Sequence, residues 1–67
     1  MERVCDNFGS LICLANAATG QVEECYKDFS VSMIVQVGDA FTVKRGNKVT
    51  VVTRTLEGFT AVSVKAA

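Results

Sequence analysis

From Phe29 to Val64 the chain alternates apolar and polar residues, interrupted by short glycine-bearing turns. Phe29, Val31, Met33, Val35 and Val37 occupy every second position, with Ser30, Ser32 and Gln36 between them. A period of two sends successive side chains to opposite faces, which writes a half-buried β-strand. Upstream, Leu11-Ile12-Cys13-Leu14-Ala15 leads into Asn16–Gly20 and Val22 leads out, a pattern that predicts a β-hairpin. Asn16 has the side chain to bond the backbone ahead of it, and Gly20 tolerates the positive φ that closes such loops. A helical alternative stands beside this one. Ser10 is a possible cap, Gly20 a possible stop, and Val22, Cys25, Tyr26 and Phe29 have helical spacing. With Glu23-Glu24 breaking the alternation, a short helix around residues 22–28 competes with a strand there.

Val37-Gly38-Asp39-Ala40 reads as a tight turn into a second hairpin, Phe41–Lys44 returning through Lys48–Arg54. A two-residue Gly46-Asn47 loop is the obvious connection. A three-residue Arg45-Gly46-Asn47 loop, with Asn47 left-handed, instead puts Phe41, Val43, Val49 and Val51 on one face. The preference for one buried face favours the longer loop, which turns Val52 outward beside Thr42 and Lys44. Leu56-Glu57-Gly58 supplies a further turn before the last strand, Phe59–Val64. Both faces of that strand are apolar, so it is expected to pair centrally or to lie under an interface. The chain contains no proline, the commonest guard of a sheet edge. The whole of residues 1–67 is thus expected to form one all-β domain of about five antiparallel strands, as a small SH3-like barrel or a two-layer sheet.

Length changes the picture. A domain of 67 residues buries only about 60% of its unfolded surface, so its core is marginal and normally supplemented by disulfides, a metal or self-association. Three cysteines and no histidine favour self-association. Cys5, Cys13 and Cys25 are odd in number, cannot close a disulfide framework, and read as reduced thiols acting as small apolar residues. Register decides whether two of them meet. A four-residue Ala17–Gly20 loop sets Ile12 opposite Cys25, whereas a shorter turn followed by a bulge at Gly20 makes Cys13 and Cys25 a possible thiol pair. Leu11–Ala18 is short for a signal core and follows Glu2 and Asp6, and no stretch approaches the roughly 18 apolar residues of a membrane span. A soluble cytoplasmic protein without a membrane partner is expected.

The charges cancel overall but not locally. Residues 1–28 carry Glu2, Asp6, Glu23, Glu24 and Asp28 against Arg3 and Lys27, a balance of −3, while residues 29–67 carry Lys44, Arg45, Lys48, Arg54 and Lys65 against Asp39 and Glu57, a balance of +3. Such a dipole suits association or one basic face. Enzymatic signatures are sparse. The absence of histidine removes Ser-His and Cys-His nucleophile systems, the cysteines lack C-x-x-C spacing, adjacent Glu23 and Glu24 point apart on a strand, and the glycines are scattered singly. No catalytic residue, metal or cofactor is implied. Two binding surfaces remain. Lys44, Arg45 and Lys48 cluster at the tip of a hairpin with Arg54 at its far end, a ribbon suited to a phosphate backbone; the sequence pI of 6.1 and the lack of interleaved aromatics argue against that use. Ile34 and Val52 interrupt polar outward faces, and Val62 or Ala61 must do so on the last strand, which suits a protein contact. The expected role is a non-enzymatic binding or regulatory protein, inhibitor- or adaptor-like, that pairs as a homodimer or higher homo-oligomer and contacts another protein. The alternative is a nucleic-acid-binding small barrel using residues 41–54.

Overall fold

A computed structural model of the chain describes residues 1–25 and 30–65, excluding the side chain of Cys25. The described residues form seven strands and no helix: β1 (Glu2–Cys5), β2 (Leu11–Ala15), β3 (Gln21–Cys25), β4 (Ser30–Ile34), β5 (Ala40–Arg45), β6 (Lys48–Thr55) and β7 (Gly58–Lys65). Strands β1-β2-β3-β4 make one antiparallel meander and β5-β6-β7 a second. The all-β class therefore stands, with seven strands rather than five and two sheets rather than a closed barrel. Strand β1 escaped the pattern because only Val4 is apolar between charged Glu2-Arg3 and Asp6. The helix considered around residues 22–28 is replaced by strand over Gln21–Cys25; residues 26–28 lie outside the described part.

The corner between the sheets explains why no barrel closes. The alternating run from Phe29 to Val37 is not one strand. Its last ladder bond is Val35 N–H to the Gly20 carbonyl at 2.9 Å, after which a turn forms with Asp39 N–H donating to the Gln36 carbonyl at 3.0 Å. Gly38 takes φ +92° there. Gly38 N–H then bonds the Arg54 carbonyl and Arg54 N–H the Asp39 carbonyl, which starts the second sheet. Val35 is buried at this crossing and Val37 is half exposed.

The two sheets share one core of Val4, Ile12, Cys13, Ala15 and Val22 from the first, Val43 and Val52 from the second, and Val35 between them, with Met33, Phe41, Phe59 and Ala61 packed against it. Consecutive Ile12 and Cys13 are both buried, which strict alternation forbids. The β1–β2 register shifts between Val4 and Cys5, so that Val4 faces Cys13 but Cys5 faces Leu11. The extra residue is Ile12. A bulge of this kind re-aims its side chain toward the core.

Both hairpin registers are now fixed. Asn16 N–H bonds the Gln21 carbonyl at 2.8 Å, Ala15 faces Val22 and Leu14 faces Glu23, so the first loop has the four residues Ala17–Gly20. In the second hairpin Arg45 faces Lys48, Val43 faces Thr50 and Phe41 faces Val52. The loop is the two-residue Gly46-Asn47, with Gly46 at φ +60° and no positive φ at any described residue other than glycine. This overturns the three-residue loop. Val52 is fully buried and its neighbour Val51 is 43% exposed, the reverse of the expected facing. The physical reason is that polar Thr50 and Ser63 lie in the interior, where they meet a carboxylate. Finally, β7 is an edge strand rather than a central one.

Candidate functional site

Asp6 organises the inside of one end of the molecule. Its side chain is fully buried. Oδ1 accepts from Phe8 N–H at 3.0 Å and Ser10 N–H at 2.9 Å, which folds the β1–β2 turn around the carboxylate. Oδ2 accepts from the Ser63 hydroxyl and pairs with Lys48 Nζ at 2.9 Å. Since the Ser63 proton goes to Asp6, the 2.6 Å contact between Thr50 Oγ1 and Ser63 Oγ has Thr50 as donor. The Ser63 hydroxyl above all, with Lys48 and the two backbone donors, holds the Asp6 carboxyl well below the usual carboxylate range against the opposing effect of burial. The same turn guards the edge of β7, where Asn7 Oδ1 takes the Ser63 N–H at 2.7 Å. Phe8 stands half exposed at the rim, with Lys48 Nζ 5.6 Å and Lys65 Nζ 5.8 Å from its ring centroid, within cation–π range.

The basic residues singled out from the sequence are not one surface. Lys48 turns in to Asp6. Arg45 reaches across to the first sheet, donating from Nη2 to the Ile12 carbonyl at 3.0 Å and from Nη1 to the Leu11 carbonyl at 3.3 Å. Arg54 does the same at the other end, donating from Nη1 to the Val35 carbonyl at 2.8 Å and from Nη2 to the Ala17 carbonyl at 3.3 Å. Lys44 alone of these four lies on the outer face of the second sheet. The guanidinium of Arg54 passes so close to Gly20 that a Cβ there would sit 2.3 Å from Nη1 and 2.3 Å from the Val35 carbonyl oxygen. Three cations of the positive half thus fasten the second sheet to the negative half.

The outer face of the second sheet carries the apolar surface. Val49 faces Val64 and Val51 faces Val62 across β6 and β7. Val51, Val62 and Val64 are 43%, 57% and 60% exposed. Opposite them on β5, Thr42 faces Val51 and Lys44 faces Val49. Ile34 is exposed as expected, but on the first sheet. Val52 is core, so the outward valines missed in the sequence are Val49, Val51 and Val64. The signal that finds them is the Gly46-Asn47 turn. A two-residue loop pairs Arg45 with Lys48 and sends the odd-numbered valines of β6 outward.

The register is that of the four-residue loop, and the Cys25 side chain lies outside the described part. Continuing the ladder from Leu14–Glu23 sets Cys13 across from Glu24 and Ile12 across from Cys25. Cys13 is a buried free thiol, whereas free Cys5 is exposed. Burial, with a smaller push from the Glu24 charge, raises the Cys13 thiol to about 11 despite the opposing pull of Arg45. Beside it lies a depression of about 150 Å³ lined by Leu11, Ile12, Cys13, Leu14, Glu23 and Arg45. A second, more open hollow of about 420 Å³ is bounded by Met1, Glu2, Ala15, Asn16, Ala17 and Ala18. Neither lining holds two carboxylates. Among the described residues no group of three or more Cys, Asp or Glu converges as metal ligands. Comparison with protein-family models, curated proteins and solved structures gave no match.

Proposed function

We propose that this chain is a non-catalytic protein-interaction module whose contact surface is the valine face of β5-β6-β7. The observation that supports this reading is the two stacked cross-strand pairs, Val49–Val64 and Val51–Val62, side by side on the outer face of a three-stranded sheet, with Val51, Val62 and Val64 exposed and Val49 partly so. An apolar cluster of this kind, rimmed by threonines, is a recognition surface in search of cover. Lys44 is the single charged residue on that face among the described strands. The partner chemistry that fits is a protein surface with an apolar centre and a carboxylate placed to meet Lys44.

The scale is modest. Covering the exposed halves of these valines is worth roughly 3–5 kcal/mol, less than or comparable to the cost of association, estimated at about 4–15 kcal/mol. The partner therefore has to engage the rim as well. An inhibitor- or adaptor-like role, in which the module masks a partner's apolar patch, is the form of regulation that suits so small a body without catalytic groups.

Affinity capture from the native host with wild-type bait and with Val51→Asp/Val62→Asp bait tests this. Partners that bind through the valines are retained by the first and lost from the second, while the thermal unfolding midpoint of the variant stays close to wild type because both positions are exposed. Recovery of the same proteins by both baits removes the reading.

A further inference from the structure

Two sheets leave four edges, and three of them are guarded. Strand β7 has its Ser63 N–H capped by Asn7 and ends at Lys65, which leans over Phe8. Strand β5 ends in Lys44-Arg45, and Arg45 crosses to the first sheet. Strand β1 is four residues long and begins with Glu2-Arg3. Short length, charge and covering segments are the ordinary means of keeping an edge from pairing.

Among the described residues, strand β4 carries neither a charge nor a covering segment. Its residues, Ser30-Val31-Ser32-Met33-Ile34, include no charge and no proline, and its five-residue ladder with β3 runs without a register shift. The direction of its backbone groups follows from the ladder. Val35 N–H bonds the Gly20 carbonyl in the same register that pairs Ile34 with Gln21. Hydrogen-bonded positions alternate in antiparallel pairs, so Met33 and Val31 point their backbone groups to β3 and Ser30, Ser32 and Ile34 point theirs to the open edge.

The geometry points to a homodimer in which β4 pairs antiparallel with β4 of a second copy, about a two-fold axis beside Ser32, joining the two first sheets into one of eight strands. Three properties of the edge select a second copy as its occupant. The outward positions are symmetric about Ser32, so Ser30 meets the partner's Ile34, Ser32 meets its own counterpart, and every outward N–H and C=O is used at once. A two-fold axis brings each residue close to its equivalent, which sets like charges opposite one another on a charged edge such as Lys44-Arg45; β4 has no charge to repel. The core-side residues also complement one another. Val31, 36% exposed, faces the partner's half-buried Met33 twice over, extending the buried layer across the axis. The chain's formal net charge of zero adds no long-range repulsion. This edge belongs to the opposite sheet from the valine face, so the dimer and the partner surface stand or fall separately.

Sedimentation equilibrium across micromolar to submillimolar concentrations, on wild type, Ser32→Lys and Val62→Lys, decides the matter. The expected result is a particle of twice 7.2 kDa for wild type and Val62→Lys, and a monomer for Ser32→Lys, whose lysines would face each other at the axis. Amide hydrogen exchange gives a readout that needs no variant: Ser30, Ser32 and Ile34 should gain protection as the wild-type concentration rises, while Val31 and Met33 stay protected throughout. A monomer at all concentrations overturns the proposal. So does a Ser32→Lys dimer, a dimer lost in Val62→Lys but kept in Ser32→Lys, or exchange at the β4 edge that ignores concentration.

Discussion

Gly9 and Gly20 allow a controlled test of how the two sheets are held together. Their backbones are nearly the same, φ +81° and +82°, but Gly9 has nothing within 4 Å of a notional Cβ and Gly20 has Arg54 and the Val35 carbonyl at 2.3 Å each. Alanine at either site incurs the left-handed penalty of roughly 1–2 kcal/mol. At Gly9 that is the whole effect. At Gly20 the new methyl must also displace Arg54 from the Val35 carbonyl, a charged hydrogen bond worth about 1.5–3 kcal/mol, and strain the Val35–Gly20 backbone bond, worth about 0.5–1.5 kcal/mol. The expected losses are therefore about 1–2 kcal/mol for Gly9→Ala and about 3–6 kcal/mol for Gly20→Ala. A chain of this length has a total stability of roughly 3–10 kcal/mol, so the second variant stands at the edge of unfolding. Urea titration followed by far-ultraviolet circular dichroism reads both, since an m-value near 1 kcal/mol/M turns the first loss into a midpoint shift of about 1–2 M. Equal midpoints for the two variants would refute the close approach of Arg54 and with it the inter-sheet role of that residue.

Three further outcomes are expected. Val52→Ala removes a fully buried side chain and should cost about 2–3 kcal/mol, whereas Val51→Ala should stay within about 0.5 kcal/mol; the reverse order in urea titration would restore the three-residue hairpin loop. Stability should fall at both ends of the pH scale. The depressed Asp6 carboxyl stabilises the fold above the ordinary value of 3.8 and loses that contribution as pH drops below it, because the folded form resists the proton the unfolded chain accepts. The raised Cys13 thiol works the other way, with stability lost as pH climbs from the ordinary 9.0 toward about 11, since the unfolded chain gives up its proton first. Thermal midpoints of Asp6→Asn and Cys13→Ala across pH should lack the acid and alkaline declines respectively. Iodoacetamide applied to the native protein at neutral pH should modify exposed Cys5 and spare Cys13, with peptide mass spectrometry as the readout; an adduct on Cys13 before unfolding would contradict its burial.

Much of the architecture was legible in the residues. The alternation after Ser30, the Asn16–Gly20 hairpin and the turns at Gly38 and Gly58 follow from local chemistry, and each reappears in the structure. The errors share one cause. Sorting valines onto a single buried face assumes that the interior is apolar, but Thr50 and Ser63 are drawn inward by Asp6, a residue more than forty positions away in sequence. No local pattern contains that carboxylate. With the polar pair inside, register shifts by one and every valine of β6 changes sides. The bulge that buries both Ile12 and Cys13 is invisible for a similar reason, because it exists only in the pairing with β1.

The segregated charge has a parallel explanation. A chain with −3 in one half and +3 in the other invites a reading in terms of external partners, and the hairpin tip looks like a phosphate-binding ribbon. Yet the strands of the negative half join with uncharged β4 in the first sheet, and Arg45, Lys48 and Arg54 cross from the second sheet to carbonyls and a carboxylate of the negative half. Cations used in this way behave as structural fasteners, and the hairpin's residues should separate cleanly under alanine substitution. Lys44→Ala should leave the urea midpoint unchanged within about 0.5 kcal/mol, because Lys44 is exposed on the outer face. Lys48→Ala should lower the midpoint clearly and narrow the acid range of stability, since the Asp6 carboxylate loses its counter-charge in the interior. If alanine at Lys44, Arg45, Lys48 and Arg54 in turn proved neutral for stability while each change weakened retention on RNA in a salt-dependent way, the fastening role would be wrong and the basic ribbon, with Phe8 exposed at its rim, would be the functional surface instead.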